Sequence, residues 1–459
     1  MEDHIKQALM EIVGSENFTD DLIELIPYSY DASDHDHRPE VAVWPIRTEQ
    51  VSQILLLANA HRFPITPRGA GTGLSGGAVP ACGGLMMDLC KMNRILEIRI
   101  ADRQVIVEPG VVYADLENVL APHGFFFPPD PSSSSVCTLG GNVATNAGGI
   151  RGAKYGTTRD YVLGLEVVLP NGQVIRTGSG CIKSASGFDL TRLFVGSEGT
   201  LGVITEIALK INPKPIETKT SLGSFSNLSD AGQSVIEIMQ SGILPSVLEL
   251  LDENTIHVLR EQGRMDLPYV AAMILVETDG YTEAETSFQM DKVIEVLKKN
   301  HATEIRMGES KKEAEALWKI RKSIGSVAAQ LRTHNVSEDV TVPLSKIVDL
   351  IKGISNILHH YGLPFVIFGH AGDGNLHPRI MYDRSDPDQV ERLRKAVEEI
   401  FKLTCQLGGT LSGEHGIGLA KAPYMSLEHD PVRMDWMRAI KKLFDPHNIL
   451  NPGKMALGN

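Results

Sequence analysis

The chain has 459 residues, more than a single hydrophobic core usually holds, so we expect two or three domains. Its formal net charge of −13, with basic runs no longer than a pair, argues against nucleic-acid binding. No apolar stretch is long enough to predict a transmembrane segment. The five cysteines are scattered and form no C-x-x-C pair, which argues against a disulfide framework, a thiolate zinc site or an intrinsic iron–sulfur cluster. We therefore expect a cytoplasmic protein with reduced thiols.

The N-terminal half begins with a helix and a glycine-rich loop. The segment MEDHIKQALMEIVGSENF predicts an amphipathic helix and lacks the apolar region of a signal peptide. A helical pattern from Val51 to Ala60 and a strand at RFPIT then lead into PRGAGTGLSGGAVP. Residues Gly71–Gly76 of this loop match G-x-G-x-x-G, the pattern of a Rossmann turn. However, the following GAVPACGG cannot open a helix, and no acidic residue follows at the required spacing. The loop therefore predicts N–H groups around a phosphate in a turn of non-Rossmann type.

Two more glycine-rich blocks follow in a region that predicts strands. From Val41 to about Pro215, short apolar segments alternate with turns, and PNGQ predicts a hairpin. The second block, DPSSSSVCTLGGNVATNAGGIRGAKYG, offers amide and hydroxyl groups among small residues that permit close approach of a flat ligand. The third block is VGSEGTLGVITE. Three such loops predict one large ligand, and the alternative is a set of ordinary turns in a β-rich domain.

The remainder of the chain has a different pattern of apolar residues. Longer helical periods alternate with strands, as in SDAGQSVIEIMQSG and YVAAMILVE, which predicts an antiparallel sheet covered by helices. The tail adds one helix and the turn FDPHNILNPGK, which contains ordinary helix stops. We therefore expect an α+β protein in three parts, residues 1–215, 216–411 and 412–459.

The segment FVIFGHAGDGNLHPRI predicts a hairpin with two histidines. If Gly372–Asn375 form the loop, His370 directly faces His377, and facing residues have Cβ atoms about 4.5–5.5 Å apart. Two imidazoles at that distance can share a metal ion, and Glu414 in SGEHG could supply a carboxylate. Such a set suits zinc, manganese or iron(II). The alternative, and the commoner case for two histidines at this spacing, is that both are plain polar residues.

Several motifs carry a resemblance to a known family. PRGAGTGLSGG, PPDPSSSSVCTLGGNVATNAGGIRGAKYG and GSEGTLGVITE resemble the flavin domain of the vanillyl-alcohol oxidase superfamily. FGHAGDGNLHP, SGEHGIGLAK and FDPHNILNPGK narrow the resemblance to its D-lactate dehydrogenase and glycolate oxidase D-subunit branch, over roughly residues 40–455. The resemblance implies a PCMH-type (p-cresol methylhydroxylase-type) FAD-binding domain of two α+β subdomains. It also implies a ferredoxin-like α+β substrate domain and a C-terminal segment that returns to the flavin.

The resemblance implies an FAD site and oxidation of a D-2-hydroxy acid. D-lactate and glycolate are the first candidates, and D-2-hydroxyglutarate and longer 2-hydroxy acids stay open. Some relatives attach the flavin covalently through a histidine in the first glycine loop. Here that region reads Ala70-Gly71-Thr72, so we expect non-covalent FAD. The expected FAD-binding residues are Arg68, Gly69, Ala70, Gly71, Thr72, Gly73, Ser75, Pro131, Thr138, Gly141, Asn142, Thr145, Asn146, Gly148, Gly152, Tyr155, Glu198, Gly199, Ile204 and Asn451.

The resemblance also assigns roles in substrate chemistry. It implies that His370, His377 and Glu414 bind a divalent metal, which orients the hydroxy acid together with His370. His415 is expected to contact the substrate and remove the hydroxyl proton. The alternatives for His415 are that it is a third metal ligand or a turn residue. Arg321 is expected to bind the substrate carboxylate. The alternative is that Lys319, Arg321 and Lys322 form a solvated helix face.

Electrons must leave the reduced flavin through a separate partner, because the sequence contains no cysteine cluster. An iron–sulfur subunit, an electron-transfer flavoprotein or a quinone could accept them, and such a partner could bring a cytoplasmic protein to the membrane surface. Two other function classes remain open. One is a non-redox FAD transferase of the ether-lipid synthase type, and the other is an FAD-binding electron-transfer subunit without its own substrate.

Overall fold

The computed structural model describes residues 1–332 and 334–458 and divides the chain into two compact units. The first unit comprises Met1–Gly148, Thr157–Lys214 and Glu414–Asn459. The second unit comprises Gly149–Gly156 and Pro215–Gly413. Both units contain sheets and helices, which confirms the predicted α+β class.

The elements are numbered in chain order. The helices are α1 Asp3–Val13, α2 Thr48–His61, α3 Tyr113–Leu120, α4 Leu139–Thr145, α5 Gly152–Tyr155, α6 Leu190–Phe194, α7 Leu228–Gln240, α8 Glu253–Glu261, α9 Glu283–Lys299, α10 Lys311–Ala328, α11 Ile347–His360, α12 Pro387–Gln406, α13 Met425–Glu428 and α14 Pro431–Phe444. The strands are β1 Phe18–Thr19, β2 Val41–Val43, β3 Ile65–Arg68, β4 Leu85–Asp88, β5 Ile95–Arg99, β6 Gln104–Val107, β7 Phe125–Phe126, β8 Val162–Val168, β9 Val174–Gly178, β10 Val203–Lys210, β11 Asn212–Pro213, β12 Glu217–Phe225, β13 Val247–Asp252, β14 Ala272–Gly280, β15 Glu304–Met307, β16 His334–Ser337, β17 Val340–Thr341, β18 Phe365–His370 and β19 Asn375–Tyr382.

The first unit is built on two main sheets. In one sheet, of order β1-β2-β4-β3, the last three strands are parallel. The other sheet, of order β5-β6-β10-β8-β9, is antiparallel. The apolar residues of α1 and α2 recur at helical spacing and pack into the same core as β2–β4, as their patterns predict. The predicted PNGQ hairpin is confirmed, because Val168 pairs with Val174 across it.

The C-terminal segment completes the core of this unit. Ile449 and Leu450 are buried in the cluster formed by α1, α2 and β2–β4, and Leu450 bridges to Ile65 of β3. The buried Lys441 donates hydrogen bonds to the carbonyls of Thr200 and Leu450, each at 2.8 Å. These contacts fix the turn that leads into Asn451.

The second unit is an antiparallel sheet with helices packed on it, as predicted. The strand order is β15-β12-β14-β13-β18-β19-β16, with β17 also paired to β19. A capping box of Ser310 and Glu313 starts α10, and its apolar side packs on the sheet through Leu317, Ile320 and Ile324. This packing directs the next inward position of α10, Arg321, toward β13 and β18.

The predicted register of the histidine hairpin is wrong. The loop is residues 371–374, so that His370 pairs with Asn375 and His377 pairs with Phe368. Asn375 belongs to the strand because it pairs with Thr341 of β17 and its side-chain nitrogen donates to the buried Asp339 at 2.6 Å. Because Phe368 and His370 lie on one face of β18, the two histidines are diagonal neighbours on that face rather than direct partners.

Within residues 1–332 and 334–458, no helix combines the length and the apolar composition that a bilayer-spanning helix requires.

Candidate functional site

A pocket in the first unit collects the three glycine-rich blocks. Its wall is formed by the loop after β3, by the segment leading into and through α4, and by the turn before β10. Glu414 and His415 also line it. The lining includes these residues from the predicted FAD set: Arg68, Gly69, Ala70, Gly71, Thr72, Gly73, Ser75, Pro131, Thr138, Gly141, Asn142, Thr145, Gly148, Glu198, Gly199 and Ile204.

The first loop presents backbone rather than side chains. Gly71 has φ +69°, and a Cβ on it would lie 2.1 Å from an Arg68 nitrogen. The Arg68 guanidinium donates to the carbonyl of Tyr30 at 2.8 Å and to that of Pro27 at 3.2 Å, so it braces the loop from within the protein. In the described part of the chain, no hydrogen bond joins the N–H groups of Ala70–Thr72 to another backbone oxygen. Such N–H groups suit a bound phosphate.

The second block approaches the first at van der Waals distance. A Cβ on Gly69 would lie 2.1 Å from Thr138 Oγ1, and a Cβ on Gly140 would lie 2.5 Å from Pro109. The Thr138 hydroxyl also accepts the N–H of Gly141 and thereby caps α4. Sequence reasoning did not single out Pro109 as a wall of the pocket, although its position after β6, where a glycine follows, was a signal of close packing.

Four residues of the predicted FAD set are not among those that line this pocket. Asn146 caps α4 with φ +54°, and its side-chain oxygen accepts hydrogen bonds from Thr157 and Arg159. Asn451 donates to the carbonyls of Gly77 and Glu198 at 2.9 and 2.7 Å, and therefore joins the first block to the third. The remaining two, Gly152 and Tyr155, belong to the second unit.

Glu198 holds the turn that carries Glu414 and His415 in place through hydrogen bonds. Its two carboxylate oxygens accept the N–H groups of Ile417 at 2.6 Å and Gly418 at 2.7 Å. The side chain is buried, and burial raises the pKa of this carboxyl above its usual value. The Ser75 hydroxyl of the first loop donates to the carbonyl of Gly416 at 2.9 Å. The turn is thus held by the first and third blocks, which explains why His415 reaches the pocket wall.

The second unit contains a separate cluster around the two histidines. The imidazole rings of His370 and His377 lie 5.0 Å apart between centroids, and both side chains are buried. Glu249 of β13 pairs with His370 across the sheet and is fully buried. It forms a hydrogen bond with His370 Nδ1 and a hydrogen-bonded ion pair with Arg321 Nε. Burial raises the pKa of Glu249, but the charge of Arg321 and the interactions with His370 outweigh burial and hold it at about 2.

Arg321 differs from the lysines beside it. Lys319 and Lys322 are exposed on α10, whereas the Arg321 guanidinium turns inward and lies 4.7 Å from the centroid of the Phe368 ring. The solvated-face alternative therefore holds for the lysines and not for Arg321. Sequence reasoning missed Glu249, the partner of Arg321. The available signal was one acid at the centre of the apolar strand VLELLD.

A second buried carboxylate lies beside His377. Asp339 accepts hydrogen bonds from Asn375 at 2.6 Å and from Ser412 at 2.7 Å, and one of its oxygens is 4.0 Å from His377 Nδ1. The donor set of this cluster, two buried imidazoles with carboxylates close by, fits a divalent ion such as zinc, manganese or iron(II). Glu414, the third predicted ligand, belongs to the first unit.

Both parts of the chain match known protein families. Residues 39–178 match the family model described as FAD binding domain, and residues 214–455 match FAD linked oxidases, C-terminal domain. The chain is 44% identical to glycolate oxidase subunit GlcD of Bacillus subtilis (strain 168), over 98% of this chain and 96% of that protein. It is 38% identical to the mitochondrial D-lactate dehydrogenase [cytochrome] of Arabidopsis thaliana, over 91% of this chain and 73% of that protein.

Among solved structures, p-cresol methylhydroxylase with substrate bound shares the fold. Its TM-score is 0.85 at 21% identity, over 99% of this chain and 97% of that one. This likeness confirms the PCMH-type fold predicted from the glycine-rich motifs. The two family models and the 44% identity over 98% of this chain show that the chain is an FAD-binding oxidoreductase and belongs to the FAD-linked oxidase family.

Proposed function

We propose that this chain is a dehydrogenase that oxidises a D-2-hydroxy acid to the 2-oxo acid, with D-lactate and glycolate as the first candidates. Relatives named glycolate oxidase subunit and D-lactate dehydrogenase support this substrate class. The observation that carries the proposal is the cluster of the second unit, where Arg321 and His370 share Glu249 and His370 lies against His377. An inward-facing guanidinium beside two imidazoles suits the carboxylate and hydroxyl oxygens of such an acid.

The proposed FAD site is the glycine-lined pocket of the first unit. Its supporting features are the N–H groups of Ala70–Thr72, which bond no backbone oxygen of the described residues, and the small residues of the second block. When bound, FAD would supply the acceptor for the hydride of the substrate Cα, and a divalent ion would supply Lewis-acid polarisation of the substrate oxygens. The residues proposed to hold that ion are His370, His377 and Glu414. Imidazole and carboxylate ligands match its preferences.

Side chains of the protein would bind the substrate carboxylate and accept the hydroxyl proton. Arg321 would bind the carboxylate through its guanidinium fork. His415 would take the hydroxyl proton on an imidazole nitrogen as the hydride leaves Cα, so that the alcohol loses one hydride and one proton. The hydrogen bonds of Glu198 to the 417–418 turn would keep His415 in place. The electron acceptor would be a separate iron–sulfur subunit, electron-transfer flavoprotein or quinone.

The substrate class is tested by anaerobic mixing of the yellow protein with matched acids. We expect D-lactate or glycolate to bleach the flavin absorbance and L-lactate to do so far more slowly, because Arg321 and His415 would present one face of Cα. Absorbance at the flavin band is the measurement. If no 2-hydroxy acid bleaches the flavin, the dehydrogenase proposal fails and the transferase or electron-transfer class takes its place.

The mode of flavin attachment gives a second prediction. Ala70–Thr72 contain neither histidine nor cysteine, so acid precipitation should release all the yellow colour into the supernatant. The absorbance of supernatant and pellet is measured, with native dialysis as the control that shows the flavin is otherwise retained. Flavin that stays with the pellet would contradict non-covalent binding.

The third prediction concerns the metal. The double variant His370→Ala, His377→Ala should lose its divalent ion and its turnover while it keeps FAD, because the histidines lie in the second unit and the flavin pocket in the first. Elemental analysis and the flavin-to-protein ratio are measured. His360→Ala, an exposed histidine on α11 of the same unit, is the matched control and should keep both. A double variant that retains metal and turns over normally would show that the pair is structural.

The fourth prediction separates His415 from Glu414. His415→Ala should keep the metal and slow flavin reduction by about 10²–10⁴-fold, the usual contribution of a general base. Glu414→Ala should deplete the metal and weaken substrate binding as well. Rapid-mixing kinetics and elemental analysis on both variants are the measurements. Equal metal loss in the two variants would make His415 a ligand, and a different residue would have to take the proton.

A further inference from the structure

The buried acid Glu249 occupies an unusual place in the second unit. It lies in the middle of β13, between the apolar residues Leu248 and Leu250, and its side chain is completely buried. A carboxylate without partners at such a position would be strongly destabilising. Each of its oxygens has one partner, because Oε1 contacts His370 Nδ1 and Oε2 contacts Arg321 Nε. Glu249 is therefore paired with two residues to which the proposed function assigns roles.

The contact with His370 selects one tautomer. When a carboxylate accepts a hydrogen bond from Nδ1, the proton of a neutral imidazole sits on Nδ1, and Nε2 keeps its lone pair. Histidines that ligate metals commonly donate their other ring nitrogen to a carboxylate in this way. Glu249 thus presents His370 in the form that can bind a cation.

The contact with Arg321 leaves the rest of the guanidinium available. Glu249 accepts a hydrogen bond from Nε of Arg321. The two terminal nitrogens of the guanidinium can then donate to a ligand carboxylate, which is the arrangement needed for bidentate binding. The Phe368 ring beneath the guanidinium restrains its plane further, with the central carbon 4.7 Å from the ring centroid. One carboxylate therefore orients both groups.

We propose that Glu249 is a positioning residue that couples metal binding at His370 to substrate-carboxylate binding at Arg321. This inference rests on the proposed function. Asp339 does not have the same arrangement toward His377, since its oxygen lies 4.0 Å from Nδ1 while Asn375 and Ser412 hydrogen-bond to it. Glu249 is accordingly the carboxylate that links the two binding groups.

The test is Glu249→Gln in the FAD-loaded protein. The glutamine amide has the shape of the carboxylate but no charge. Only one of its two terminal atoms is an oxygen, so it cannot accept hydrogen bonds from both His370 and Arg321 as the carboxylate does. We expect Zn²⁺ or Mn²⁺ affinity, measured by competition with a chromogenic chelator, to fall about 10–100-fold. KM for the hydroxy acid should rise, while the flavin-to-protein ratio stays unchanged. Glu253→Gln, an exposed acid four positions along the chain at the start of α8, is the control and should change neither.

The outcomes separate this inference from the function on which it rests. Unchanged metal affinity and KM in Glu249→Gln would overturn the positioning role, while metal loss in the double-histidine variant would leave the proposed function standing. If the double-histidine variant also keeps its metal, the metal role itself fails. Should Glu249→Gln not fold, ¹⁵N-histidine NMR of the unsubstituted metal-free protein decides. The His370 signal, assigned by its loss in His370→Ala, should show the Nδ1-protonated tautomer, and an Nε2-protonated ring would overturn the proposal.

Discussion

Close approach of backbone segments is the constraint on which the first unit depends. Three glycines lie too close to a neighbouring segment to carry a Cβ atom. Gly69 contacts Thr138, Gly140 contacts Pro109, and Gly418 contacts Ser75. Side chains at these positions would separate the loop after β3, the start of α4 and the C-terminal turn. The glycines therefore bring three distant parts of the chain into one wall, and leave peptide groups and small side chains facing the pocket.

The second unit satisfies a different constraint, the burial of charge. Glu249, within β13, and Asp339, in the connection between β16 and β17, are both fully buried, and each is surrounded by hydrogen-bond donors. Since breaking such a network leaves an uncompensated charge, the residues around it are fixed in orientation as well as in position. That rigidity suits side chains proposed to hold a small, charged substrate.

The sequence predicted most of the fold and much of the pocket lining, but not the partners of the polar side chains. Glycine-rich blocks and apolar segments are local signals, so the strands and the PNGQ hairpin could be read directly, and the flavin-type fold followed from the family resemblance that those blocks carry. The register of β18 and β19 could not, because it depends on Asn375 pairing with Thr341 of β17, a contact between distant segments. Glu249 was missed for the same reason: its role appears only when β13 is placed beside β18 and α10. The partners of Asn146 were likewise not predicted: its backbone N–H caps α4, and its side-chain oxygen holds the 157–159 turn.

The proposed reaction removes hydrogen from the Cα of a D-2-hydroxy acid and delivers it to FAD. The most direct measurement compares the anaerobic rate of flavin bleaching by the acid that reduces it with the rate for the same acid deuterated at Cα. We expect slower bleaching with the deuterated acid, because the bond to Cα breaks in that step. Equal rates at saturating acid, under conditions where bleaching is limited by chemistry, or no bleaching by either acid, would contradict it.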